Sequence, residues 1–136
     1  METVNDYSNQ LTTKSEIKVL GNCYSTGGKI GYGTGAGSTV TQGTNRTTAV
    51  EINAQCGDIT LYTTSNSTTA ASFTVTNNTV AATDSVFLCQ VSGTDKLDMT
   101  VTAVAAGSFQ ITQRTYSGTT SEAPVIRFMV FKGVTA

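Results

Sequence analysis

Residues 97–112 read Leu97-Asp98-Met99-Thr100-Val101-Thr102-Ala103-Val104-Ala105-Ala106-Gly107-Ser108-Phe109-Gln110-Ile111-Thr112, and their period decides the fold class. Leu97, Met99, Val101 and Ala103 alternate with Asp98, Thr100 and Thr102. Beyond Ala106-Gly107, Phe109 and Ile111 alternate with Gln110 and Thr112. Successive side chains of an extended chain point to opposite faces, so a period of two buries one row and wets the other. The stretch predicts two strands joined at a turn containing Gly.

The same period recurs on either side. Residues 49–53, 58–62 and 72–76 alternate, with Asn77-Asn78 as a turn. Residues 85–91 are apolar on both faces and read as a central strand. Residues 125–131 are the most apolar run; they follow the single Pro, Pro124, and are placed centrally with Pro only at the start. About eight strands at spacings near ten residues, with no helix of three turns, predict an all-β chain: a single antiparallel β-sandwich of jelly-roll or Greek-key type. Parallel βαβ units are excluded on the ground that no crossover helix is available. The 27 Thr and 12 Ser agree, because Thr suits a strand face that is pleated and wet.

Length and composition bound the function. The 136 residues fit one domain, large enough to bury roughly two thirds of its unfolded surface. The net charge of −1 leaves no basic footprint for nucleic acid. No apolar run approaches the ~20 residues that cross a bilayer, so no membrane partner is expected. The N-terminus lacks a signal-peptide pattern, which predicts synthesis in a cytoplasm. With no His, Ser-His-Asp and Cys-His nucleophile arrangements cannot be assembled within the chain, and no Gly-x-Ser-x-Gly turn occurs. Carboxylate pairs, Asp95 with Asp98 or Glu51 with Asp58, leave a carbohydrate-active enzyme as the only catalytic reading, but solvated turn charges explain them as well. Cys23, Cys56 and Cys89 form no CxxC pair and are read as reduced, buried thiols. No metal, cofactor or catalytic residue is expected.

Two segments depart from the strand pattern. Residues 1–20 read as an N-terminal arm, with residues 21–136 as the sandwich domain. Tyr7, Leu11, Ile17 and Val19 are the arm's candidate anchors for a partner, since aromatic and aliphatic groups carry most interface energy. In the string Gly31-Tyr-Gly-Thr-Gly-Ala-Gly37, the glycines Gly31, Gly33, Gly35 and Gly37 would all lie on one bare face of an extended strand. They are candidate subunit-interface positions.

Five segments taken together carry a resemblance: residues 31–53, from Gly31-Tyr-Gly-Thr-Gly-Ala-Gly-Ser-Thr-Val-Thr-Gln onward, Cys56-Gly-Asp-Ile-Thr-Leu61, Ala81-Ala-Thr-Asp84, residues 101–109 and Ser121-Glu-Ala-Pro-Val-Ile-Arg-Phe128. As a set they resemble a β-rich domain of virion proteins in tailed bacteriophages and prophages, found in fibre-like or capsid-decorating components. The resemblance runs from about Gly31 to Gly133 and implies a homotrimeric β-structured module on the virion surface, with no catalytic residues. A free-standing chain of this size is expected to be a capsid-decorating cement or knob unit, assembled in the host cytoplasm and docked on the major capsid protein or another virion protein. The alternative is a small tail-fibre head, a receptor-binding tip that adheres to a host-surface ligand, glycan or protein.

Overall fold

The computed structural model describes residues 30–134. The chain divides into Met1–Gly31 and Tyr32–Ala136, and the second unit is the one described below. The expected boundary between residues 20 and 21 lies outside the described residues.

Ten strands follow in chain order: β1 Gly37–Thr41, β2 Val50–Glu51, β3 Cys56–Thr60, β4 Thr64–Ser65, β5 Ala71–Thr76, β6 Ser85–Ser92, β7 Leu97–Ala105, β8 Ser108–Thr115, β9 Ser121–Glu122 and β10 Val125–Phe131. The predicted hairpin is β7–β8, turning at Ala106-Gly107. Gly107 takes φ 81°, in the left-handed region that side chains with a Cβ disfavour. Two four-stranded sheets hold most of the chain, in the orders β1-β3-β10-β6 (the first sheet) and β2-β5-β8-β7 (the second sheet), and β4 pairs with β9 alone. The described residues are all-β, as their period requires.

The two sheets share one core. Ile59, Ile126, Phe128 and Val130 face inward from the first sheet, and Phe73, Val75, Phe109 and Ile111 from the second. Phe128 meets Phe109 with ring centroids 5.3 Å apart at 51°, a tilted aromatic contact across the layers. The alternation in sequence is therefore the alternation of the layers. Gly57 marks a tight point between β1, β3 and the core, since a Cβ there would stand 2.5 Å from the Ser38 carbonyl oxygen and 3.1 Å from Phe128 Cε1. Only a bare backbone lets β1 lie against β3 above the core.

Three expectations are corrected. The sheets are mixed, not antiparallel: β1 runs parallel to β3 and β2 parallel to β5. A parallel pair needs a long return path, and no helix supplies it here. Between β1 and β3 the chain instead crosses to the second sheet, forms β2 and returns. Second, β10 lies inside its sheet as expected, but among the described residues β6 is an edge strand with only β10 beside it. Its apolar outward row is not covered by either sheet. Third, the alternating glycines do not form one extended face. Ala36 N donates to Gly33 O at 3.2 Å, closing a turn in which Gly35 takes φ 90°. Only Gly37 enters a strand, and Gly31 belongs to the other unit.

Candidate functional site

The outward face of the first sheet is where the chain's chemistry is unusual. Register sets its rows. Met129 on β10 lies between Phe87 on β6 and Cys56 on β3, and Arg127 lies between Cys89 and Asp58. Each row crosses the sheet side by side, so these side chains share one surface. Phe87 is 57% exposed, Met129 43% and Phe131 66%. Val91, also on β6, extends the patch toward the far end of the strand. Large apolar side chains contiguous on a sheet face are far from the single scattered exposures that any surface carries.

A groove of about 360 Å³ is sunk into this face, walled by Tyr32, Phe87 and Met129 with Cys56, Cys89 and Arg127 beside them. The Tyr32 hydroxyl donates to the Val130 carbonyl, which fastens the ring across the end of the sheet. The one charge pair on the face is internally satisfied. Arg127 donates from Nε to Asp58 Oδ1 at 2.7 Å and from Nη2 to Asp58 Oδ2 at 2.8 Å. Those hydrogen bonds and the guanidinium charge hold the Asp58 carboxyl below the usual carboxylate range and raise Arg127, so both stay ionised and cancel.

The two thiols among the described residues lie on this face, which corrects the buried-thiol expectation for them. Cys56 is half-buried and Cys89 exposed. Cys89 follows from the edge position of β6, since its side chain points to the uncovered side. Cys23 lies outside the described residues, as do Tyr7, Leu11, Ile17 and Val19.

The members of the expected carboxylate pairs are each bonded to other partners. Glu51 stands on the second sheet and bonds Asn53 Nδ2 at 2.8 Å, while Asp58 is on the first sheet, held by Arg127. Asp98 takes Arg114 Nε at 2.9 Å on the second sheet. Asp95 has a different carboxylate neighbour, Glu122, which sequence reasoning missed because the two are separated by all of β7 and β8. Buried Asn66 bridges them, its Nδ2 donating to Asp95 Oδ2 at 3.0 Å and to Glu122 Oε1 at 2.8 Å. Thr120 N adds a bond to Asp95, and Thr94 N and Asp95 N add bonds to Glu122. These bonds hold both carboxyls below their usual range: the Asn66 bond leads at Asp95, the Thr94 bond at Glu122. Buried Arg46 completes the cluster, donating from Nη2 to Asn66 Oδ1 at 3.1 Å and to the Glu122 carbonyl at 2.8 Å.

This cluster ties the β6–β7 turn to the loops around β4 and β9. Its acceptors are spent on turn amides, which is the work of a fold clip rather than of an acid and base awaiting substrate. Among the described residues no group of three His, Cys, Asp or Glu is placed to hold a metal ion. Among the described residues the apolar face is thus a region whose composition the fold itself does not use. No family model, curated protein or solved structure matches this chain.

Proposed function

We propose that this chain is a non-enzymatic structural protein that works as a homo-oligomer, with the outward face of the first sheet covered in the assembly. One observation carries the reading: that sheet is apolar on both sides, with Phe128 and Ile126 inward and Phe87, Met129 and Phe131 outward. A sheet built this way is half finished as a monomer. The near-neutral chain adds little charge repulsion between copies.

The resemblance to virion β-domains supplies the setting, a homotrimer that decorates a capsid surface. The pairing of β6 with β10 around the β7–β8 hairpin supports a Greek-key type of connection, with the two parallel pairs added by the N-terminal strands. Light scattering after size exclusion tests the assembly: three times the 14.2 kDa chain mass is expected at micromolar concentration. A monomer under those conditions overturns the proposal. Many copies per purified particle would place the chain on the capsid lattice, and a few copies would place it at a fibre tip.

A further inference from the structure

We propose that the groove on the outward face of the first sheet receives Phe131 of a second copy of this chain. The inference rests on the self-associating role above and names the residues that make the contact.

Three observations select a second copy over another partner. The first is charge. Asp58 and Arg127 are the charged residues of the groove region and are bound to each other in a bidentate pair. An acidic or basic partner gains no attraction there, whereas an identical neutral face meets no repulsion. The second is shape. The face carries both a concavity and a projection. Phe131 is 66% exposed, two residues beyond Met129, which walls the groove. A cavity of about 150 Å³ accepts a benzene ring, so a groove of about 360 Å³ has room for a phenyl side chain. The third is the edge. β6, eight residues long, borders the groove through Phe87, Leu88 and Cys89, and among the described residues its outer side pairs with no strand. A neighbour seated on the groove covers that edge, which would otherwise be a template for uncontrolled pairing.

Giver and receiver are different spots on one subunit, so each copy supplies a Phe131 and accepts one. A contact of that kind, repeated head to tail, closes a ring where the rotation between copies allows it and otherwise runs on as a filament, and the homotrimer is the ring proposed here. The Asp58–Arg127 pair then sits beside the entering ring in a site emptied of water, where its own hydrogen bonds keep it satisfied.

The native thiols supply the test. Cys56 and Cys89 both line the groove. Within one chain Cys89 is paired in register with Arg127, four residues short of position 131, or roughly 13 Å at the rise of a strand. A disulfide cannot span that. Full-length Phe131→Cys is mixed from isotopically light and heavy preparations and oxidised mildly, and the peptides are mapped by mass. A bond joining position 131 of one chain to Cys89 of another is expected. In parallel, full-length Phe131→Asp is expected to raise the dissociation constant of the oligomer about thirtyfold or more, the effect of losing a central interface aromatic. If Phe131→Asp leaves the oligomer intact and position 131 forms no bond to Cys89 or Cys56 of another chain, this inference is overturned while the structural role stands. If wild-type chain is monomeric, both fall.

Discussion

Phe87, Val91, Met129 and Phe131 look outward from the first sheet, whereas Ser72, Thr74, Thr100, Thr102 and Thr112 look outward from the second. On the second sheet the hydroxyls bond to one another. Ser72 Oγ lies 2.8 Å from Thr112 Oγ1, which is 3.1 Å from Thr102 Oγ1. Both sheets pack their inner rows by the same rule, and only their outer rows differ. The second sheet's face is complete in water: β-branched side chains suit the pleat, and their polar tips satisfy one another or solvent. The first sheet's face spends the same geometry on groups that water does not want. That contrast is the ground on which the first sheet's outward face is proposed as the one that meets another surface.

The largest effect belongs to the core that both faces share. Phe128 is fully buried between the layers against Phe109. Phe128→Ala is expected to cost about 3–5 kcal/mol of unfolding free energy, measured by urea denaturation. Its outward neighbour Met129→Ala is expected to change the stability of the monomer by less than about 1 kcal/mol. Equal costs would break the division into inner and outer rows on which the comparison depends.

Next in size is the conversion of one face into the other. Phe87→Thr with Met129→Thr gives the first sheet the chemistry of the second at two central outward positions. The oligomer is expected to fall to monomer by light scattering, with the cooperative β-fold retained by circular dichroism. The mirror change, Thr74→Lys with Thr112→Lys on the second sheet, is expected to leave the oligomer mass unchanged. If the second pair dissociates the oligomer and the first does not, the faces have been assigned the wrong way round.

The sequence made much of this legible, and the failures are instructive. The hairpin at residues 97–112, the central place of β10 and the inward rows of Phe109, Ile111, Ile126 and Phe128 all follow from a period of two. The misreading of β6 came from the same rule. A strand apolar on both faces was assigned a covered position, and among the described residues no strand lies on its outer side. The parallel pairs were lost because a strand of the opposite sheet, not a helix, makes the crossover. The cluster of Arg46, Asn66, Asp95 and Glu122 joins segments far apart in sequence, and no local spacing encodes a tertiary clip. The glycine string misled because Gly35 was read as an extended residue when its value lies in a positive φ.

The smallest expected effect separates the charges of the apolar face from those that clip the fold, and acid is the probe. Asp58, Asp84, Asp95 and Glu122 are all held below their usual range: Asp58 chiefly by its hydrogen bond from Arg127, Asp84 by the Ala81 amide and then Lys132, Asp95 by Asn66, and Glu122 by the Thr94 amide. Each depressed group binds fewer protons folded than unfolded. Its contribution is therefore fully present above the unfolded value, about 4 for carboxyls, and is lost as pH falls through the lower folded value. Melting temperature is expected to be flat from pH 7 to about 5 and to decline below about 4. Asn66→Ala removes the donor shared by Asp95 and Glu122, so it is expected to lower the melting temperature at pH 7 and to flatten the decline below pH 4. Asp58→Asn is expected to leave most of the acid decline in place, because its pair lies on the outward face and clips no loop. Should Asp58→Asn abolish the decline while Asn66→Ala leaves it untouched, the acid-sensitive element is the apolar face itself, and the cluster at Asn66 is not the clip that holds the loops.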